Sequence, residues 1–106
     1  MPTFIMLTRL SHAALQSPSS LENLGREVTE RIHAECPEVQ WERSYAVLGP
    51  TDYLDIFTAP DIDAATKVAT IIRTFGHAST EVWAATPWER FVELVRYLPP
   101  AKVEPA

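Results

Sequence analysis

A chain of 106 residues suits one domain and not two. Apolar residues make up 46% and charged residues 22%, the composition of a folded globular domain and not of a disordered one. The formal net charge of −5 argues against a nucleic-acid partner and lends no support to an anionic membrane.

Thr3 to Leu10 is a short apolar run whose length predicts a strand buried on both faces. It is too short to span a membrane, and it has neither the basic leader nor the cleavage site of a signal peptide. Ser11 to Ser17 reads as a connection. Pro18 fits the first turn of a helix, and Ser19 with Glu22 has capping-box spacing. Leu21, Leu24, Val28 and Ile32 form one apolar stripe on this helix, which Pro37 ends. Val39 to Leu48 alternates as a half-buried strand, with Trp41 and Tyr45 expected on one face.

Gly49-Pro50-Thr51-Asp52 is a turn signal, and Tyr53 to Thr58 completes a hairpin. Asp61 is placed to cap a second helix, with a stripe of Ala64, Ala65, Val68, Ile72 and Phe75 that stops at Gly76. Ser79 to Thr86 is the last strand. Thr86-Pro87-Trp88-Glu89 combines an N-cap, a first-turn proline and a capping-box glutamate ahead of a third helix. Pro99-Pro100 closes that helix, which leaves a domain over 1–98 and a loose tail over 99–106.

The order β-α-β-β-α-β-α predicts an α+β ferredoxin-like βαββαβ sandwich with a C-terminal helix on a four-stranded antiparallel sheet. One layer of helices leaves the far sheet face open, and a second copy of the chain is the economical cover. A homo-oligomer, most simply a dimer, is therefore expected. The single cysteine, Cys36, allows no disulfide within the chain and points to a reducing, cytoplasmic setting.

The run from Gly49 through Tyr53-Leu54-Asp55-Ile56-Phe57-Thr58 to Ala59-Pro60-Asp61 resembles the segment that names the GYD-domain family. Pro2 to Leu7, Ser17-Pro18, Thr80-Glu81 and Thr86-Pro87 are similar to other parts of that family's pattern. Thr51 stands where the family carries its tyrosine, and the tyrosine here follows the aspartate, at Tyr53. The resemblance implies the dimeric α/β-barrel type of this fold. Related barrels include cofactor-free monooxygenases, isomerases and cyclases, but fold does not carry function.

Strand order 4-1-3-2 would gather Arg9, His12, Asp52, Tyr53, Asp55 and His77 near one end of the sheet. Asp55 stands between Leu54 and Ile56 on a strand expected to be central, where a carboxylate is costly unless satisfied. Either it is structural, paired with Arg9 or on a sheet face open to water, or it serves as a general base or ligand anchor. His12 is a second candidate acid or base, and Arg9 a candidate oxyanion stabiliser. Tyr53, Asp52 and His77 are candidate ligand contacts. His33 reads as a surface or boundary residue. The metal-site motifs with Cys-x-x-Cys or His-Glu-x-x-His spacing are missing, so no metal is expected. None of the three glycines forms a phosphate-cradling loop, so no nucleotide cofactor is expected either. Three readings follow: a homo-oligomer that binds a small ligand or a partner, a cofactor-independent enzyme acting on a small aromatic or polyketide-like substrate, or a purely structural assembly unit whose working surface is the free sheet face.

Overall fold

The computed structural model describes residues 1–11, 18–74 and 78–101, with side chains from residue 21 onward in the first helix. The elements are β1 (Thr3–Leu10), α1 (Pro18–Glu35), β2 (Gln40–Ala46), β3 (Tyr53–Thr58), α2 (Ile62–Thr74), β4 (Ala78–Ala85) and α3 (Trp88–Val95). The four strands form one sheet in the order β2-β3-β1-β4, with every neighbouring pair antiparallel. This is the ferredoxin-like arrangement that the element order predicts.

Cross-strand partners share a face of the sheet. Phe4, Met6, Thr8 and Leu10 of β1 stand with Phe57, Asp55 and Tyr53 of β3 on the helix side. Phe4, Met6, Phe57, Val68, Ile71 and Ile72 form the centre of the core beneath α2. Phe57 is fully buried and stacked between Phe4 and Trp41, at centroid distances of 5.5 and 5.1 Å. The Asp61 carboxylate accepts the Ala64 N–H at 2.9 Å, so it caps α2 as its sequence position predicts. Arg73 donates to the Thr80 carbonyl at 2.8 Å and fastens α2 to β4.

Three local expectations are corrected. The first concerns the entry to α3. Pro87 itself is the N-cap, with φ −54° and ψ 142°, and no side chain caps the helix. Its extended ψ moves the helix start one residue later, so Thr86 lies outside the cap and Glu89 falls one position short of a capping box. The second concerns Ser19: α1 begins at Pro18, as the proline predicts, so Ser19 lies inside the helix and not at its cap. The third concerns β2. Trp41 pairs with Phe57, yet Arg43 pairs with Ile56, so Glu42 is the extra residue of a β-bulge. The bulge reverses the alternation and puts Trp41 on the helix side and Tyr45 on the open side.

The open face carries Ile5, Leu7, Leu54 and Ile56 at its centre, all half-buried, flanked by Tyr45 and by Trp83, which is 52% exposed. Helix α3 buries none of its residues, although Trp88, Phe91, Leu94 and Val95 are apolar. The radius of gyration is 17.6 Å, against about 13 Å for a compact domain of this length.

Candidate functional site

The apolar stripe of α1 faces the sheet across a gap. Ile32, near the end of the helix, is buried, whereas Leu21, Leu24 and Val28 are only half-buried. Between them and the sheet lies a cavity of about 240 Å³. Its lining is mostly apolar, with Met6, Leu10 and Ile72 completing the walls.

Its polar groups are few, and they converge on β2 and β3. Asp55 lies on the floor of the cavity, on the helix side of a strand with neighbours on both sides. The Trp41 indole Nε1 donates to Asp55 Oδ1 at 3.2 Å and to Ser44 Oγ at 2.8 Å. Burial pushes the Asp55 carboxyl above its ordinary 3.8, and hydrogen bonds from Ser44 and Trp41 oppose that rise only in part. Among the described residues, the ion pairs are Arg26–Glu22, Arg31–Glu35 and Arg90–Glu93, so none neutralises Asp55.

The expected Arg9–Asp55 pair does not form. Arg9 lies opposite Ser79 on the open face, and its Nε and Nη2 both donate to the Pro50 carbonyl. The reason is strand parity: Asp55 faces Met6 across the ladder, and Arg9 is three positions further along β1, on the other side of the sheet. Asp52 does reach the same end. Its Oδ2 accepts the Leu10 N–H at 2.8 Å, and its own N–H donates to Thr8 O at 2.8 Å. Its carboxylate therefore fixes the hairpin to the end of β1. Tyr53 lines the cavity with Asp55. His12 and His77 lie outside the described residues.

Sequence reasoning missed three contributors to the cavity. Trp41 and Ser44 share Asp55 only because of the bulge, which no residue pattern announces. His33 also lines the cavity. Its signal was present, because Gly25, Thr29 and His33 form a strip at i, i+4 spacing beside the apolar stripe. Cys36 is buried and free, and burial, with Glu38 nearby, raises its thiol pKa. That is the opposite of an activated nucleophile. Among the described residues, no group of three His, Cys, Asp or Glu side chains is placed to hold a metal ion. No described helix is long and apolar enough to cross a membrane.

Several solved structures share this architecture. TTHA0845 from Thermus thermophilus is 25% identical, with a TM-score of 0.57 over 82% of this chain and 95% of that one. LrpC of Bacillus subtilis, at 13% identity, superposes with a TM-score of 0.54 over 81% of this chain and 51% of its own. The leucine response regulatory protein LrpA of Mycobacterium tuberculosis, at 16%, gives 0.51 over 81% and 51%. These last two likenesses show the fold alone. No curated protein matches the chain. The family model described as the GYD domain matches residues 4–95.

Proposed function

We propose, for a chain that belongs to the GYD domain family, the role of a small-molecule-binding protein that works as a homo-oligomer. The observation that carries this reading is the cavity of about 240 Å³ between α1 and the sheet, apolar on its walls and with one carboxylate on its floor. Ligand sites are typically concave, largely apolar and oriented by a few polar groups. At interior packing density this volume suits a molecule of roughly ten non-hydrogen atoms. The test is a two-dimensional NMR titration with apolar compounds of that size. Shifts at Leu24, Val28 and the Trp41 indole are expected, and Val28→Trp, which fills the cavity, abolishes them. Shifts that survive Val28→Trp unchanged refute the assignment of the site.

A second copy of the chain is the proposed cover for the open sheet face. Support comes from the apolar centre at Ile5, Leu7, Leu54 and Ile56, and from the exposed Trp83 beside it. Light scattering should give twice the 11.9 kDa of the chain, and Ile56→Lys should halve that mass. A monomer at micromolar concentration overturns the reading. The lone buried thiol of Cys36 suits a cytoplasmic setting.

A cofactor-independent enzyme is the second reading, and one observation favours it. Asp55 is a carboxyl of raised proton affinity in a mostly apolar cavity, the condition in which such a group serves as acid or base near neutral pH. Arg9, on the other face, drops out of this mechanism. Once a turnover is found, Asp55→Asn should lower kcat and remove its pH dependence. Unchanged kcat excludes Asp55 from the chemistry.

A further inference from the structure

The cavity is built around an acceptor. Both side chains hydrogen-bonded to Asp55, the Trp41 indole and Ser44, act as donors to its carboxylate. These two hydrogen bonds favour its ionised form, against burial, which favours the neutral one. Among the described residues, that form has no counter-charge. Among the described residues, no lysine or arginine lines the cavity, and no cation forms an ion pair with Asp55. Among the described residues, the other titratable groups of the lining are His33 on α1 and Tyr53 on β3. The lining contributed by β1, β2, α2 and β4 carries none.

We infer that the ligand of this cavity is an apolar molecule bearing one cationic amine, which pairs with Asp55 while its hydrocarbon part lies against α1. The inference rests on the small-molecule-binding reading and narrows it to a chemical class. A neutral carbonyl ligand would need Asp55 protonated as a donor, which leaves the hydrogen bonds from Trp41 and Ser44 on a weaker, neutral acceptor. An anionic ligand would add a second negative charge beside Asp55, with no lysine or arginine of the lining to offset it. An ammonium group supplies a counter-charge and a charge-assisted hydrogen bond. The chain's net charge of −5 also favours the approach of cations.

The experiment compares phenethylamine, phenethyl alcohol and hydrocinnamate by calorimetry on the intact protein. The amine is expected to bind about tenfold more tightly than the alcohol, the scale of one charge-assisted hydrogen bond, and the carboxylate most weakly. Asp55→Asn should erase the preference for the amine while leaving the affinity for the alcohol in place. In the unmodified protein, amine affinity should fall as pH drops through the raised titration of Asp55, and alcohol affinity should not. His33→Gln separates the histidine's charge from this effect and should keep the trend. If the alcohol binds as tightly as the amine, the amine assignment is wrong and the cavity remains a binding site. If none of the three binds, both readings fall together.

Discussion

Phe57 is the residue on which core and site depend together, and its replacement tests both. Its ring is fully buried and stacked between Phe4 at 5.5 Å and Trp41 at 5.1 Å. Phe57→Leu keeps most of the volume and removes both ring pairs. Each such pair contributes about 0.5–1.5 kcal/mol beyond area burial, so the expected loss is about 1–3 kcal/mol. Phe57→Ala adds a cavity and should cost about 3–5 kcal/mol. Against a total stability of about 5–15 kcal/mol, the first variant folds and the second is marginal. Urea unfolding at one fixed protein concentration measures both, with the midpoint moving and the slope unchanged. Trp41 also loses its backing in Phe57→Leu, so its indole N–H should exchange faster with solvent. A Phe57→Leu variant within about 0.5 kcal/mol of the parent, or with unchanged indole exchange, refutes the claim that this stack supports the site.

Other outcomes follow from the same geometry. Asp55 has its proton affinity raised in the folded state, so its contribution to stability is complete at acid pH and lost as pH rises through the folded value. Melting curves of Asp55→Asn should therefore overtake the parent as pH increases and converge with it in acid; a constant deficit at every pH contradicts this. Gly25 lies within α1, and an added Cβ there meets nothing within 4 Å, so Gly25→Ala should raise stability by about 0.5–1 kcal/mol in urea unfolding. Buried Cys36, with its thiol pKa raised, should react with a disulfide reagent only as fast as the protein opens, and added urea should accelerate the reaction. Rapid native-state labelling would contradict that burial.

The architecture was legible because its signals are local and agree with one another. Hydrophobic runs bounded by turn residues gave β1 and β3 their limits, and Asp61 and Pro37 marked the ends of helices. The pairing order followed from the element order. The cavity was not legible, because an apolar stripe such as Leu21, Leu24, Val28 looks the same whether it packs against a sheet or stands off from it. Asp55 drew notice by its chemistry, a carboxylate in an apolar strand, but its partners did not. Parity excluded Arg9, and a bulge brought Trp41 to the side of Ser44. The cap of α3 was misplaced by one residue because a backbone angle at Pro87, not a residue type, sets the helix start.

Glu42 accepts a hydrogen bond from the Thr58 hydroxyl at 3.5 Å, and yet the chemistry of the cavity depends on its standing outside the ladder. Were Glu42 to take a place in the pairing with β3, Trp41 would slide by one step and turn its indole outward. There it would meet the surface where a second subunit is expected, as an adhesive instead of a donor. A single slip in pairing thus separates a donor at the cavity from an apolar ring on the open face. That one step would take from Asp55 its indole donor and from the cavity one of its walls, and would give the open face another large ring.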